Sequence, residues 1–282
     1  MKKIKTLALS LMMLGAFSLT AFAEKTEETA EVYVTIADDK GALALTQEKI
    51  TVTDIDEDGT LTINDALYAA HETKFEGGAA AGYVTSEGQY GISLDKLWGV
   101  ENGGSYGYVV NNVSAMSLAD EIEAGDYINA YVYTDLTAWS DAYSFFDVNT
   151  VDTKEGTEIT LTLSANGYDA DWNPVVNPVE GAVITVDGKA TEYKTDKDGK
   201  VTFTLAKGDY VISATSESQI LVPPACRVSV AEKDVVVNPD EKNDTATPNT
   251  GDNMNVWMFV IICAMSATVV TASAKRRNGY EK

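Results

Sequence analysis

The chain is 282 residues long and carries 21 Lys and Arg against 43 Asp and Glu, a formal net charge of −22. A surface this acidic repels nucleic acid and anionic lipid and attracts cations. One histidine and two cysteines leave little material for acid–base chemistry, a zinc cage or a disulfide framework.

Lys2, Lys3 and Lys5 precede a mostly apolar stretch, 7–20, and Ala21-Phe22-Ala23 is a small-x-small cleavage site. This is the pattern of a secretory signal peptide over 1–23, with a mature chain that begins near Glu24. Val32, Val34 and Ile36 alternate with Tyr33 and Thr35, and Ile50 and Val52 continue the alternation, so half-buried strands are expected. Ile63, Ala66, Leu67 and Ala70 predict a helix over 63–72, opened by Thr62 and Asp65 as a capping-box-like start. His71 is read as a solvated residue of that helix. Residues 77–82, Gly-Gly-Ala-Ala-Ala-Gly, read as a small-residue loop. Segments 106–110 and 127–133 read as strands, with a polar turn at Asn111-Asn112 and a second turn at 123–126.

From about Thr150 the pattern changes to short alternating runs with no helical period: Ile159/Leu161/Leu163, Ala182/Ile184/Val186, Val201/Phe203/Leu205, Tyr210/Ile212 and Val228/Val230. Asp196-Lys197-Asp198-Gly199 and Lys207-Gly208-Asp209 punctuate them, which predicts a small β-sandwich over 150–237. Cys226 follows Pro223-Pro224-Ala225 at a strand entry and is read as a small buried hydrophobe. Cys263 lies in a C-terminal apolar run, so the mature chain has no internal disulfide. A polar, proline-containing linker is expected at 238–250. The expected fold class is mainly β with a small α+β part.

Residues 54–65 place acids at positions 1, 3, 5 and 12 of a loop, with Gly59 at position 6 and the Thr60 carbonyl at position 7. That is EF-hand ligand spacing: Ca²⁺ needs six to eight oxygens around one centre and a sharp turn at the sixth residue. Asp65 in place of Glu resembles dockerin-type calcium loops, although a single copy argues against cohesin binding. The candidate metal set is Asp54, Asp56, Asp58, Thr60 and Asp65, with calcium in a structural role. The competing reading is an acidic turn that caps a helix. Four carboxylates so close repel one another without a cation, which favours calcium.

Trp98-Gly99-Val100-Glu101-Asn102, Tyr106-Gly107-Tyr108-Val109-Val110-Asn111-Asn112, Gly125-Asp126-Tyr127 and Tyr131-Val132-Tyr133 resemble the bacterial domain related to the C-terminal domain of transcobalamin. In that family an aromatic strand ends in Val-Asn-Gly, then a Gly-Asp turn leads to a second aromatic strand. Asn112 stands where the family has Gly, and Asn also tolerates positive φ. The resemblance covers 31–148 and implies a β-grasp-like N-terminal domain of a ligand-binding kind. Trp98, Tyr106, Tyr108 and Asn111 are its candidate ligand contacts, though alternating aromatics on strands also serve as core and cross-strand pairs. Segments 179–184, 195–201 and 208–212 resemble the B-type repeats of collagen adhesins and related prealbumin-like sandwiches. Those repeats often carry a Lys–Asn isopeptide bond, for which the strand at 158–164 offers no lysine.

At the C-terminus, Thr247-Pro248-Asn249-Thr250-Gly251 precedes an uncharged apolar segment and then Lys275-Arg276-Arg277. A helix over 254–274, at ~1.5 Å per residue, is long enough to cross a hydrocarbon core of ~30 Å, and the basic cluster would stay on the cytoplasmic side. The whole arrangement, 247–282, resembles the sorting signal read by sortases in Gram-positive-type bacteria. Its common form is Leu-Pro-x-Thr-Gly, and Thr247 here replaces the leucine. The resemblance implies cleavage after Thr250 and attachment to peptidoglycan; the alternative is a retained membrane helix. No histidine pair at zinc-protease spacing, phosphate loop or dinucleotide fingerprint appears. The expected function is a cell-wall-anchored, non-catalytic surface protein that binds an extracellular glycan, protein or small molecule, and no nucleic acid. Capture of a corrinoid-like molecule by the first domain and a purely structural spacer are the alternatives.

Overall fold

The computed structural model describes residues 29–89 and 91–233. The expected signal peptide, linker, sorting pentapeptide and apolar helix at 254–274 lie outside these residues. Among the described residues no helix is long and apolar enough to cross a membrane.

The first domain opens with an antiparallel pair, β1 (Thr29–Ala37) and β2 (Leu43–Thr53). Helices α1 (Ile63–Lys74) and α2 (Gly78–Gly82) follow, then a separate hairpin of β3 (Val84–Gly88) and β4 (Gly91–Lys96). The strands β5 (Tyr106–Val110), β6 (Val113–Ser114) and β7 (Tyr127–Val132) complete a mixed sheet in the order β2-β1-β7-β5-β6, with β1 and β7 parallel. Period-two alternation sends Val32, Val34 and Ile36 to one face, where none keeps exposed surface. Helix α1 lays Ile63, Ala66, Leu67 and Ala70 in the same core. Burying each Ile or Leu side chain contributes roughly 1.5–3 kcal/mol. The helix starts where the sequence places it. Thr62 accepts from the Asp65 amide while Asp65 accepts from the Thr62 amide, a complete capping box.

The stretch 77–82, expected as a loop, is one turn of helix instead. Ala79, Ala80 and Ala81 are strong helix formers, and Gly77 turns the chain at φ 89°. Gly82 then closes against the end of α1: a Cβ there would lie 2.5 Å from the Phe75 ring. The Asn111-Asn112 turn forms as expected, with φ of 49° and 66°.

The second domain is a β-sandwich. Its strands are β8 (Ala142–Phe146), β9 (Thr150–Lys154), β10 (Ile159–Tyr168), β11 (Pro174–Pro178), β12 (Val183–Val186), β13 (Lys189–Lys194), β14 (Lys200–Phe203), β15 (Gly208–Thr215), β16 (Leu221–Val222) and β17 (Cys226–Ala231). One sheet runs β11-β10-β8-β16, with β14 also beside β10; the other runs β13-β12-β15-β17-β9. The alternating residues read from the sequence face one another between the sheets: Leu161, Leu163, Ile184, Phe203, Ile212 and Val228 all belong to this core. Cys226 is fully buried there, as expected of a small hydrophobe, and burial pushes its thiol up to about 12.

The boundary between the domains differs from the expected 148/150. Strand β8 falls inside the segment assigned to the first domain, yet it pairs with β10 and β16 of the sandwich. The sandwich therefore begins at Ala142. The side chains of β8 serve two masters: Phe146 enters the sandwich core, and Tyr143 enters a cluster with Ala37, Val109, Tyr131 and Val222 that draws on both domains. Gly107 makes room for this cluster, since a Cβ would lie 2.1 Å from the Tyr131 ring. Polar bonds cross the same seam. Tyr143 Oη donates to Asn112 Oδ1 at 2.9 Å, Gln47 Nε2 to the Ala225 carbonyl at 3.1 Å, and Arg227 Nη2 to the Thr46 carbonyl at 2.6 Å and to Glu48 Oε1. The two domains are joined by a shared core.

Candidate functional site

The acidic loop lies between β2 and α1. Its backbone is folded around its first aspartate: Asp54 Oδ2 accepts from the Gly59 amide at 2.7 Å and Oδ1 from the Asp58 amide at 3.3 Å. Asp58 Oδ1 accepts from the Thr60 amide at 2.8 Å. The turn is made by Glu57 and Gly59 at φ 59° and 93°. As a result one carboxylate oxygen from each of Asp54, Asp56 and Asp58 lies within 4.8 Å of the others. Asp54 and Asp56 shift in opposite directions. The Gly59 amide holds the Asp54 carboxyl below its ordinary value. Asp56 is raised, by desolvation first, then by its bond to Asp54 and by the charges of Asp58 and Asp65.

Asp65 is placed differently from the other three. It is 1% exposed, and its Oδ2 accepts from the Thr62 amide at 2.8 Å and the Thr62 hydroxyl at 2.6 Å, while Oδ1 accepts from the Ile55 amide at 3.1 Å. The fold thus uses Asp65 to start the helix and to tie the loop to it. Thr60 stands on the loop beside Asp58. Three converging carboxylates supply half of the oxygens a calcium ion takes, a hard-oxygen donor set that fits the ion and suits no soft metal.

His71, expected in solvent, is fully buried. It lies four residues after Leu67 and eight after Ile63, on the apolar stripe of α1. Nδ1 lies 2.6 Å from the Leu67 carbonyl and Nε2 accepts from the Trp98 amide at 2.9 Å, which fixes the neutral ring with its proton on Nδ1. Tyr83 and Trp98 pack against it with ring centroids at 4.9 and 5.1 Å. Burial pushes the imidazole down to about 4.

The four candidate ligand contacts have structural roles. Trp98, Tyr106 and Tyr108 pack against the first core. Tyr106 Oη also donates to the Asp95 carbonyl at 2.7 Å. Asn111, at the far end of β5, donates to Asp126 Oδ1 at 2.8 Å and accepts from the Tyr127 amide at 3.0 Å. These residues are not gathered into one open platform. Among the described residues the most exposed rings are elsewhere, at Trp139, Tyr168 and Trp172. The last two stand at the end of the β10–β11 hairpin, where Asp169-Ala170-Asp171-Trp172-Asn173 between alternating runs is a turn signal with a tryptophan in it.

No family model matches the chain, and no curated protein matches it in sequence. Among solved structures it is similar to the fibronectin(III)-like modules of Clostridium thermocellum CbhA, at 12% identity over 73% of this chain and 95% of that one, with a TM-score of 0.26. It is also similar to the tandem Ig repeats of Dlar (14% identity, 54% of this chain, 75% of that one, TM-score 0.23). A third is the mixed-linkage glucan utilization locus protein SGBP-B of Bacteroides ovatus, solved with a mixed-linkage heptasaccharide (14% identity, 53% of this chain, 36% of that one, TM-score 0.18). TM-scores this low do not define a common fold, so the architecture rests on the chain's own sheets.

Proposed function

We propose that this is a cell-wall-anchored, non-catalytic surface protein that binds an extracellular partner. The carrying observation is the commitment of its nucleophile and base candidates to the fold. The single histidine is buried with both ring nitrogens engaged, and Cys226 is buried in the sandwich core. A group held this way cannot reach a substrate to take its proton. The first domain is read as a β-grasp module: counted within its sheet, its strands follow the order 2-1-5-3-4, with the first and last parallel and a helix after the first hairpin. Calcium is proposed at Asp54, Asp56 and Asp58, where it would neutralise crowded carboxylates and fix the entry to α1. Sortase attachment rests on the pentapeptide Thr247-Pro248-Asn249-Thr250-Gly251 with its apolar and basic sequel. The test is cell fractionation of a sortase-competent host that expresses the chain. Thr250→Ala should move the protein from the peptidoglycan fraction to the membrane or medium, and unchanged wall attachment would defeat the reading.

A further inference from the structure

Trp172 is 80% exposed and Tyr168 66%. Their ring centroids lie 6.1 Å apart with planes inclined by 47°. Large aromatic side chains normally bury this area, because it is the larger part of what they contribute to folding. Here the indole N–H of Trp172 has no hydrogen-bond partner among the described residues. Trp139, by contrast, is also exposed but donates to Ser105 Oγ at 3.4 Å. The backbone of Trp172 adopts φ 64°, a conformation bulky residues avoid.

The turn that presents these rings is tightly bonded. Asp169 Oδ1 accepts from the amides of Asp171 and Asn173, each at 2.9 Å, and Oδ2 from Asn173 Nδ2 at 3.0 Å. The Trp172 amide donates to the Asp169 carbonyl at 3.1 Å. The rings are thus held out on a stiff support, which lowers the ordering cost of binding anything that covers them.

We propose that the tip of the β10–β11 hairpin binds neutral glycan, with Trp172 and Tyr168 stacking on pyranose rings and the Asp171 carboxylate accepting from their hydroxyls. The inference rests on the surface-binding reading above and names its ligand class and site. Three features select that class. Aromatic faces match the C–H faces of a sugar ring, and carboxylates accept strongly from hydroxyls. The chain's net charge of −22 opposes polyanions such as nucleic acid or uronate polymers. By strand register Pro174 and Val176 share the Tyr168 face of the hairpin, and Asp169, Asp171 and Asn173 of the turn are exposed polar neighbours. Two aromatic side chains of about 150–250 Å² each fall short of the about 800 Å² per side, with an apolar centre, that a stable protein interface needs.

The test uses the full chain in affinity electrophoresis and calorimetry against hydroxyethylcellulose, xylan and galactomannan, with polygalacturonate as the anionic control. Wild type should bind at least one neutral polymer and ignore the anionic one. Trp172→Ala and Tyr168→Ala should each weaken binding by about tenfold or more, as loss of an aromatic anchor does, with an unchanged melting temperature. Equal binding by wild type and Trp172→Ala overturns the site. Binding to none of the neutral polymers, or a protein ligand lost in Trp172→Ala instead, overturns the glycan assignment. Wall attachment, read by fractionation, is untouched by any of these outcomes, so the two readings fail separately.

Discussion

Acidification tests the interior of the first domain. His71 keeps no exposed surface, and burial lowers its imidazole from 6.5 to about 4, while its bond to the Leu67 carbonyl pulls the other way. The native state therefore prefers the neutral ring more strongly than the unfolded chain does. The resulting stability is fully present above about pH 6.5 and is lost as pH falls towards 4. At about 1.36 kcal/mol per pKa unit, the wild type should lose about 2 kcal/mol between roughly pH 7.5 and 5. His71 is the only histidine in the chain, ordinary carboxylates titrate below this window, and the raised Asp56 is common to both chains compared below. Its ring neighbours Phe75, Tyr83 and Trp98 carry no charge across it. Urea denaturation at closely spaced pH values, run on wild type and His71→Gln, isolates the effect. The glutamine variant should be less stable at neutral pH and nearly flat through the window. A flat wild type, or the same slope in both chains, refutes the buried neutral imidazole.

Gly107→Ala drives a methyl into the Tyr131 ring, 2.1 Å from the nearest atom, and should cost about 1–3 kcal/mol, read as a lower melting temperature. Phe146→Ala should cost about 3–5 kcal/mol, because the ring is 2% exposed in the sandwich core; a neutral outcome would remove Phe146 from that core. Calcium should raise the melting temperature of the wild type, by about 3 kcal/mol of stability at a hundredfold excess over Kd. The Asp54→Ala/Asp58→Ala double variant should not respond, and an unmoved wild-type curve after chelation reduces the loop to a turn.

The sandwich strands were legible where one face is buried. Leu161, Leu163, Ile184 and Ile212 alternate with polar residues, and their burial follows that pattern. The start of α1 was legible because the Thr62–Asp65 box is a local interaction. The same box gives Asp65 two readings: one spacing serves a capping carboxylate and the twelfth residue of a calcium loop. His71 was misread although its spacing carried the answer, since it continues the stripe of Ile63 and Leu67. Strand β8 was beyond local reasoning. Ala142-Tyr143-Ser144-Phe145-Phe146 is an unremarkable β segment, and its partners are set by contacts some twenty to eighty residues away along the chain. The exposed pair Tyr168–Trp172 lies past the alternating residues that announced β10, where the turn hid it.

The pairing of β17 with β9 bears on how the molecule carries load. The two strands run parallel through five registered pairs, from Arg227–Thr150 to Ala231–Lys154. The chain enters β9 at Thr150 and leaves β17 at Ala231, at opposite ends of the same ribbon. A pull applied between the start of β9 and the end of β17 would draw these strands lengthwise past each other. All five rungs would then resist together, whereas an antiparallel hairpin pulled at its open end gives way one rung at a time. Resistance to such a pull is set by the rate of unfolding rather than by the equilibrium population of the open form.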